Sequence, residues 1–124
     1  MYGLLNDTLV PKELRLRTGG QTLTLTYSEL GELTLSAEFL RVHSPSAEVR
    51  GHGIGNEVLQ TGKEDVRITS IEPVGNYAIK LTFSDGHDTG LYSWDVLYEF
   101  VSNHQALWQS YLQRLQAAGH TRKA

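Results

Sequence analysis

The sequence predicts an α+β fold: a mainly antiparallel β-sheet, a short helix after the first hairpin, and a C-terminal helical segment packed on the sheet. Three observations predict it. Polar and apolar residues alternate through two early segments that flank a Gly-Gly pair. Tyr77, Ile79, Leu81 and Phe83 fall on alternate positions. From Ser93 onward the apolar spacing lengthens to three and four, the period of a helix face. Strands come first and helices last, without strand–helix–strand alternation, and that order favours antiparallel pairing.

The elements follow in order. Residues 1–11 are expected to be a flexible arm. Glu13-Leu14-Arg15-Leu16-Arg17 and Thr22-Leu23-Thr24-Leu25-Thr26-Tyr27 flank Thr18-Gly19-Gly20-Gln21. They predict a hairpin that buries Leu14, Leu16, Leu23, Leu25 and Tyr27. Leu33-Thr34-Leu35 is a short extended piece. Ser36 is placed to cap a helix from Ala37 to about Val42, because a serine oxygen accepts from free first-turn amides. Pro45 stops that helix. Residues 47–65 are irregular and rich in glycine. Val66-Arg67-Ile68 leads through Ile71 to a predicted turn at Pro73-Val74-Gly75-Asn76, and the strongest strand follows. Ser84 to Gly90 is a polar turn, and Leu91-Tyr92 is extended. Trp94, Leu97, Tyr98 and Val101 mark one helix face. Ser102 to Gln105 matches a capping box that would open a second helix. Leu107, Trp108, Tyr111, Leu112 and Leu115 form its stripe, and Gly119 is its predicted stop.

A chain of 124 residues is one domain. Its expected limits are 12–118, with 119–124 a frayed tail. A net charge of −3 supplies no field for holding nucleic acid by counterion release. With no cysteine, disulfides, thiolate metal sites and thiol nucleophiles are excluded from this chain. The opening residues lack a basic segment followed by an apolar run, and no apolar run approaches the length of a membrane span. The expected location is cytoplasmic, with neither a membrane nor a nucleic acid as partner.

Asp85-Gly86-His87-Asp88 is the sharpest polar cluster. Asp-Gly is a turn signal, since glycine supplies positive φ and aspartate bonds local amides. His87 is either a metal ligand, with Asp85 or Asp88, or part of a recognition surface. His43 and His52 are the other mid-chain histidines, and neutral imidazoles suit zinc, iron or nickel. Ser84, His87 and Asp88 form a triad only on paper: three residues in one turn rarely reach nucleophile–base–orienter geometry, and no Gly-x-Ser-x-Gly elbow is present. Gly55 and Gly62-Lys63 are separated by six residues where a phosphate loop needs four. The aromatic stripe Trp94, Tyr98, Trp108 and Tyr111 is core or a partner-facing surface. No catalytic constellation emerges.

Several segments resemble the family named for the N-terminal domain of γ-butyrobetaine hydroxylase. They are Glu13 to Leu16, Leu35-Ser36-Ala37-Glu38-Phe39-Leu40-Arg41-Val42, Val74-Gly75-Asn76-Tyr77-Ala78 and, most specific, Phe83-Ser84-Asp85-Gly86-His87-Asp88-Thr89-Gly90-Leu91-Tyr92-Ser93-Trp94. They span roughly residues 10 to 100. The resemblance implies a small module in front of a separate oxygenase domain, with zinc held by three cysteines and a histidine. Carried onto this chain, the cysteine positions fall on Ser44, Ser46 and Val49, and the histidine on His87. The zinc site is therefore expected to be degenerate. Other members resemble appendages of P-loop carriers that handle iron–sulfur clusters. The expected function is a non-catalytic accessory domain that binds a protein partner and needs no cofactor, with Asp85, His87, Tyr92 and the 43–56 loop as its surface. The alternative is zinc or iron held by His87, His43 and His52.

Overall fold

The computed structural model describes residues 8–46, 49 and 58–122. The first sheet contains β1 (Glu13–Arg17), β2 (Thr22–Tyr27) and β3 (Gly31–Ser36), all antiparallel in the order β1-β2-β3. The second contains β4 (Ile68–Val74), β5 (Ala78–Phe83) and β6 (Leu91–Ser93), again antiparallel and in chain order. Helix α1 (Ala37–Val42) follows β3, and α2 (Trp94–Ser102) and α3 (His104–Ala117) close the chain. The α+β expectation holds, with two three-stranded sheets in place of one.

Alternation dictates which faces meet. Leu23, Leu25, Tyr27 and Leu35 from the first sheet share one core with Ile68, Ile79, Leu81 and Phe83 from the second. Phe39, Leu40, Tyr92, Leu97 and Phe100 complete it. Leu14 and Leu16, expected inside, are only partly buried because β1 is an edge strand. Gly20 joins the sheets at the hairpin tip: a Cβ there would lie 2.2 Å from the Ile68 carbonyl oxygen, so only glycine lets the two backbones approach so closely.

The first two helices start on a serine cap, Ser36 as expected from the sequence and Ser93 as a cap not expected there. Ser36 Oγ accepts from Phe39 N–H at 2.9 Å, and Ser93 Oγ accepts from Val96 N–H at 3.2 Å. α3 ends in a Schellman motif: Gly119 N–H donates to Gln116 O at 3.0 Å and His120 N–H to Leu115 O at 2.9 Å.

Four expectations are corrected. Pro73 and Val74 belong to β4 and not to a turn; β4 is an edge strand, where proline's missing N–H leaves no ladder bond unmade. The capping box at Ser102 does not form: Ser102 ends α2, and Asn103 precedes α3 without a side-chain cap. Residues 119–122 of the expected tail are tied, because Arg122 grips Glu38 with two bonds of 2.8 and 2.6 Å and stands 5.1 Å over the Trp108 ring. The last arm residues are tied too. Thr8 Oγ1 donates to Asp95 Oδ1, Leu9 packs on the core, and Lys12 N–H donates to Thr26 O at 2.7 Å. Among the described residues no helix is long and apolar enough to cross a membrane.

Candidate functional site

Two chain segments build a buried polar corner. One is the exit of α1, from His43 to Ser46. The other is the turn between β5 and β6, from Ser84 to Gly90. The turn is made locally: Asp85 Oδ1 accepts from His87 N–H at 3.1 Å, and Phe83 N–H donates to His87 O at 2.9 Å. These bonds aim the His87 ring inward, onto the α1 exit.

There His87 Nε2 lies 2.9 Å from Ser44 Oγ and 3.4 Å from Ser46 Oγ. Ser46 N–H donates to Ser44 Oγ at 3.4 Å. All three side chains are buried, Ser44 completely. Gly90 closes the corner from the β6 side, since a Cβ there would sit 2.3 Å from Ser44 Oγ. Tyr92 anchors the far side by donating its hydroxyl to Leu40 O at 2.6 Å.

An ionic cluster borders this corner. Asp85 Oδ2 accepts from Arg41 Nε at 2.8 Å and from Lys63 Nζ at 2.6 Å. Burial alone would raise the Asp85 pKa, but the bonds from Lys63, the His87 amide and Arg41 outweigh it and hold the carboxyl at about 2. Arg41 is buried, and among the described residues its Nη1 has no hydrogen-bond partner. All six residues of α1 are buried, including Glu38 and Arg41. Charges on so buried a helix need partners from elsewhere, and Arg122 and Asp85 supply them.

The residues singled out in the sequence divide into three groups. Ser44, Ser46 and His87 converge as the resemblance implied, with Val49 buried close along the chain, its N–H donating to Ser46 O at 3.1 Å. His43 points elsewhere: its ring packs 4.4 Å from Phe39, and its Nδ1 lies 2.9 Å from Phe39 O. Burial pushes the His43 pKa below its usual value, although bonds to the Phe39 and Leu107 backbones act against that. His52, and most of the 43–56 loop, lie outside the described residues.

The recognition surface expected at His87 and Tyr92 is corrected, because both are buried, Tyr92 entirely. Their rings are needed to fill the corner and the core. The paper triad is not assembled either: Ser84 Oγ accepts from Arg67 N–H at 2.9 Å, while His87 Nε2 faces Ser44 and Ser46. Sequence reasoning missed Arg41 and Lys63 as partners of Asp85. The available signal was a charged pair, Glu38 and Arg41, one turn apart on a helix flanked by core residues.

The corner does not suit zinc. Ser44 and Ser46 offer neutral hydroxyls where a structural site uses thiolates, and Val49 offers no donor atom. The hydroxyls and the imidazole are engaged with one another. Among the described residues no group of three His, Asp or Glu side chains is arranged to hold a metal ion.

No curated protein matches the chain. Solved structures do. One solution structure is 50% identical, covering 94% of this chain and 92% of that one, with a TM-score of 0.81. A second is 52% identical over 96% of this chain and 89% of that one, with a TM-score of 0.79. A crystal structure from Acidithiobacillus ferrooxidans is 32% identical over 72% of this chain and 89% of that one, with a TM-score of 0.59; it is described as a DUF971-family protein of unknown function. The family model described as gamma-butyrobetaine hydroxylase-like, N-terminal, matches residues 14–98, which span both strand triplets apart from Glu13 and include Ser44, Ser46 and His87. The chain belongs to the gamma-butyrobetaine hydroxylase-like N-terminal family.

Proposed function

We propose that this chain is a non-catalytic accessory module that acts by binding another protein and keeps its shape without a metal ion. The observation that carries the reading is the corner itself. Ser44, Ser46 and His87 stand where the family resemblance puts metal ligands, and they satisfy one another through hydrogen bonds. A buried polar set closed in this way stabilises the folded state and leaves no open position for substrate or metal. The accessory role is supported by the family's description, which refers to the N-terminal portion of a hydroxylase-like protein. Such a portion suits a module that accompanies chemistry carried out elsewhere.

The test is metal content together with stability. Protein purified without an affinity tag under anaerobic conditions is expected to carry less than about 0.1 metal ion per chain, and its Tm is expected to be unchanged by a strong chelator. One tightly held ion per chain, with unfolding on chelation, overturns the reading.

A further inference from the structure

A cleft of about 340 Å³ opens beside the polar corner, between the α1 exit and the α2–α3 pair. Its walls are apolar where Val42, Val49, Phe100 and Leu107 meet. Leu107, Ser110 and Arg114 line it from α3, at spacings of three and four that put them on one helix face. The Arg114 side chain is half-buried, and no ion pair or hydrogen bond engages its guanidinium among the described residues. A guanidinium with free donors, carried by a half-buried arginine beside an apolar wall, is matched by a carboxylate, which it can grip with two parallel bonds.

Size and charge narrow the class. An apolar cavity of about 150 Å³ holds benzene, so a cleft of about 340 Å³ takes a body of roughly six to ten carbons. Arg114 is the one strong base among the described residues lining the cleft, and Glu99 stands exposed at its edge. His43, also on the wall, already has Nδ1 against the Phe39 carbonyl, and burial disfavours its charged form. The single Arg114 charge balances a monoanion and leaves a phosphate dianion under-neutralised, the more so with the Glu99 carboxylate at the edge.

We infer that this cleft binds a small organic monocarboxylate, its head on Arg114 with Ser110 beside it and its hydrocarbon body against Val42, Val49, Phe100 and Leu107. The inference goes beyond the accessory-module reading and is independent of it, since neither metal content nor chelator response enters its test.

The test is titration of the isotope-labelled protein, followed through its amide signals, with octanoate, octylamine and butyl phosphate as separate probes. Octanoate is expected to give saturable shifts confined to residues 42–44 and 107–114. Arg114→Gln is expected to weaken that binding about tenfold or more, as loss of a charged hydrogen-bonded pair does, with Tm unchanged. Arg114→Lys should restore part of the affinity by returning the charge without the fork. No saturable shift by about 5 mM octanoate overturns the inference. So does Arg114→Gln binding as tightly as the native protein, and so does octylamine or butyl phosphate binding as well as octanoate.

Discussion

The apolar seam between the sheets and the polar corner at the α1 exit are both buried, yet they are held by different forces. The seam is packed from Leu23, Leu25, Phe39, Leu81 and their neighbours, and its attraction is nondirectional and proportional to area removed from water. The corner is built from Ser44, Ser46, His87, Asp85 and Arg41, each of which must meet a partner at hydrogen-bond distance. The difference teaches that two kinds of burial, one nondirectional and one directional, meet in one small core. The seam is expected to supply the larger share of the stability, and the corner fixes the approach of two segments.

The largest effect should come from the seam. Phe39 is fully buried and packs edge-on against Phe100 at 5.3 Å. Phe39→Ala is expected to cost about 4 kcal/mol in denaturant unfolding, through lost transfer energy and the cavity left behind. A cost below that of the corner variants would reverse the comparison.

Asp85→Ala should come next, at about 3 kcal/mol at neutral pH, because it leaves the buried Arg41 charge unpaired. The pH dependence sharpens the point. The folded-state pKa of about 2 lies below the ordinary 3.8, so the carboxylate's contribution is fully present above about pH 4. It fades as pH falls through 2. That gap corresponds to about 2 kcal/mol, and the difference between native and Asp85→Ala stability should narrow by this amount over the same range. A difference that stays constant from pH 5 to pH 2 would place the stabilisation outside the carboxylate.

Gly90→Ala tests the corner's closeness of fit. The added methyl would sit 2.3 Å from Ser44 Oγ and 3.3 Å from Pro45 Cδ, so the α1 exit must move. The expected cost is about 2 kcal/mol, with amide shifts at residues 44–46 and 87. Shifts confined to residues 89–91 would show that the corner is not closed from this side.

The smallest effect has the opposite sign. Tyr27 is buried in the seam, its hydroxyl lacks a hydrogen-bond partner among the described residues, and burial raises its pKa to about 12. Tyr27→Phe removes an unpaired polar atom and is expected to stabilise by up to about 1 kcal/mol. Destabilisation would mean that the hydroxyl has a partner and that the seam is less purely apolar than its packing suggests.

Much of the fold was legible in the residues. The alternation around Thr18–Gln21 and from Tyr77 to Phe83 marked β1, β2 and β5. Ser36 before Ala37 marked the start of α1, and Gly119 marked the end of α3. The site was legible only through the family resemblance, which aligned Ser44 and Ser46 with His87. Nothing in their spacing says that residues more than forty positions apart share a hydrogen bond. Reading His87 and Tyr92 as a surface failed because a polar turn motif does not reveal which way its ring points.

Local chemistry is therefore what the sequence determined by itself: strand period, helix caps, the Asp-Gly turn and the absence of thiolates. These depend on neighbours within a few residues, whose geometry the backbone sets wherever the segment lies. Tertiary structure alone decided that the strands divide into two sheets, that Arg41 and Lys63 share Asp85, and that Arg114 faces a cleft. Those outcomes depend on which distant segments pack together, and burial, being nondirectional, leaves that choice to the shape of the whole core.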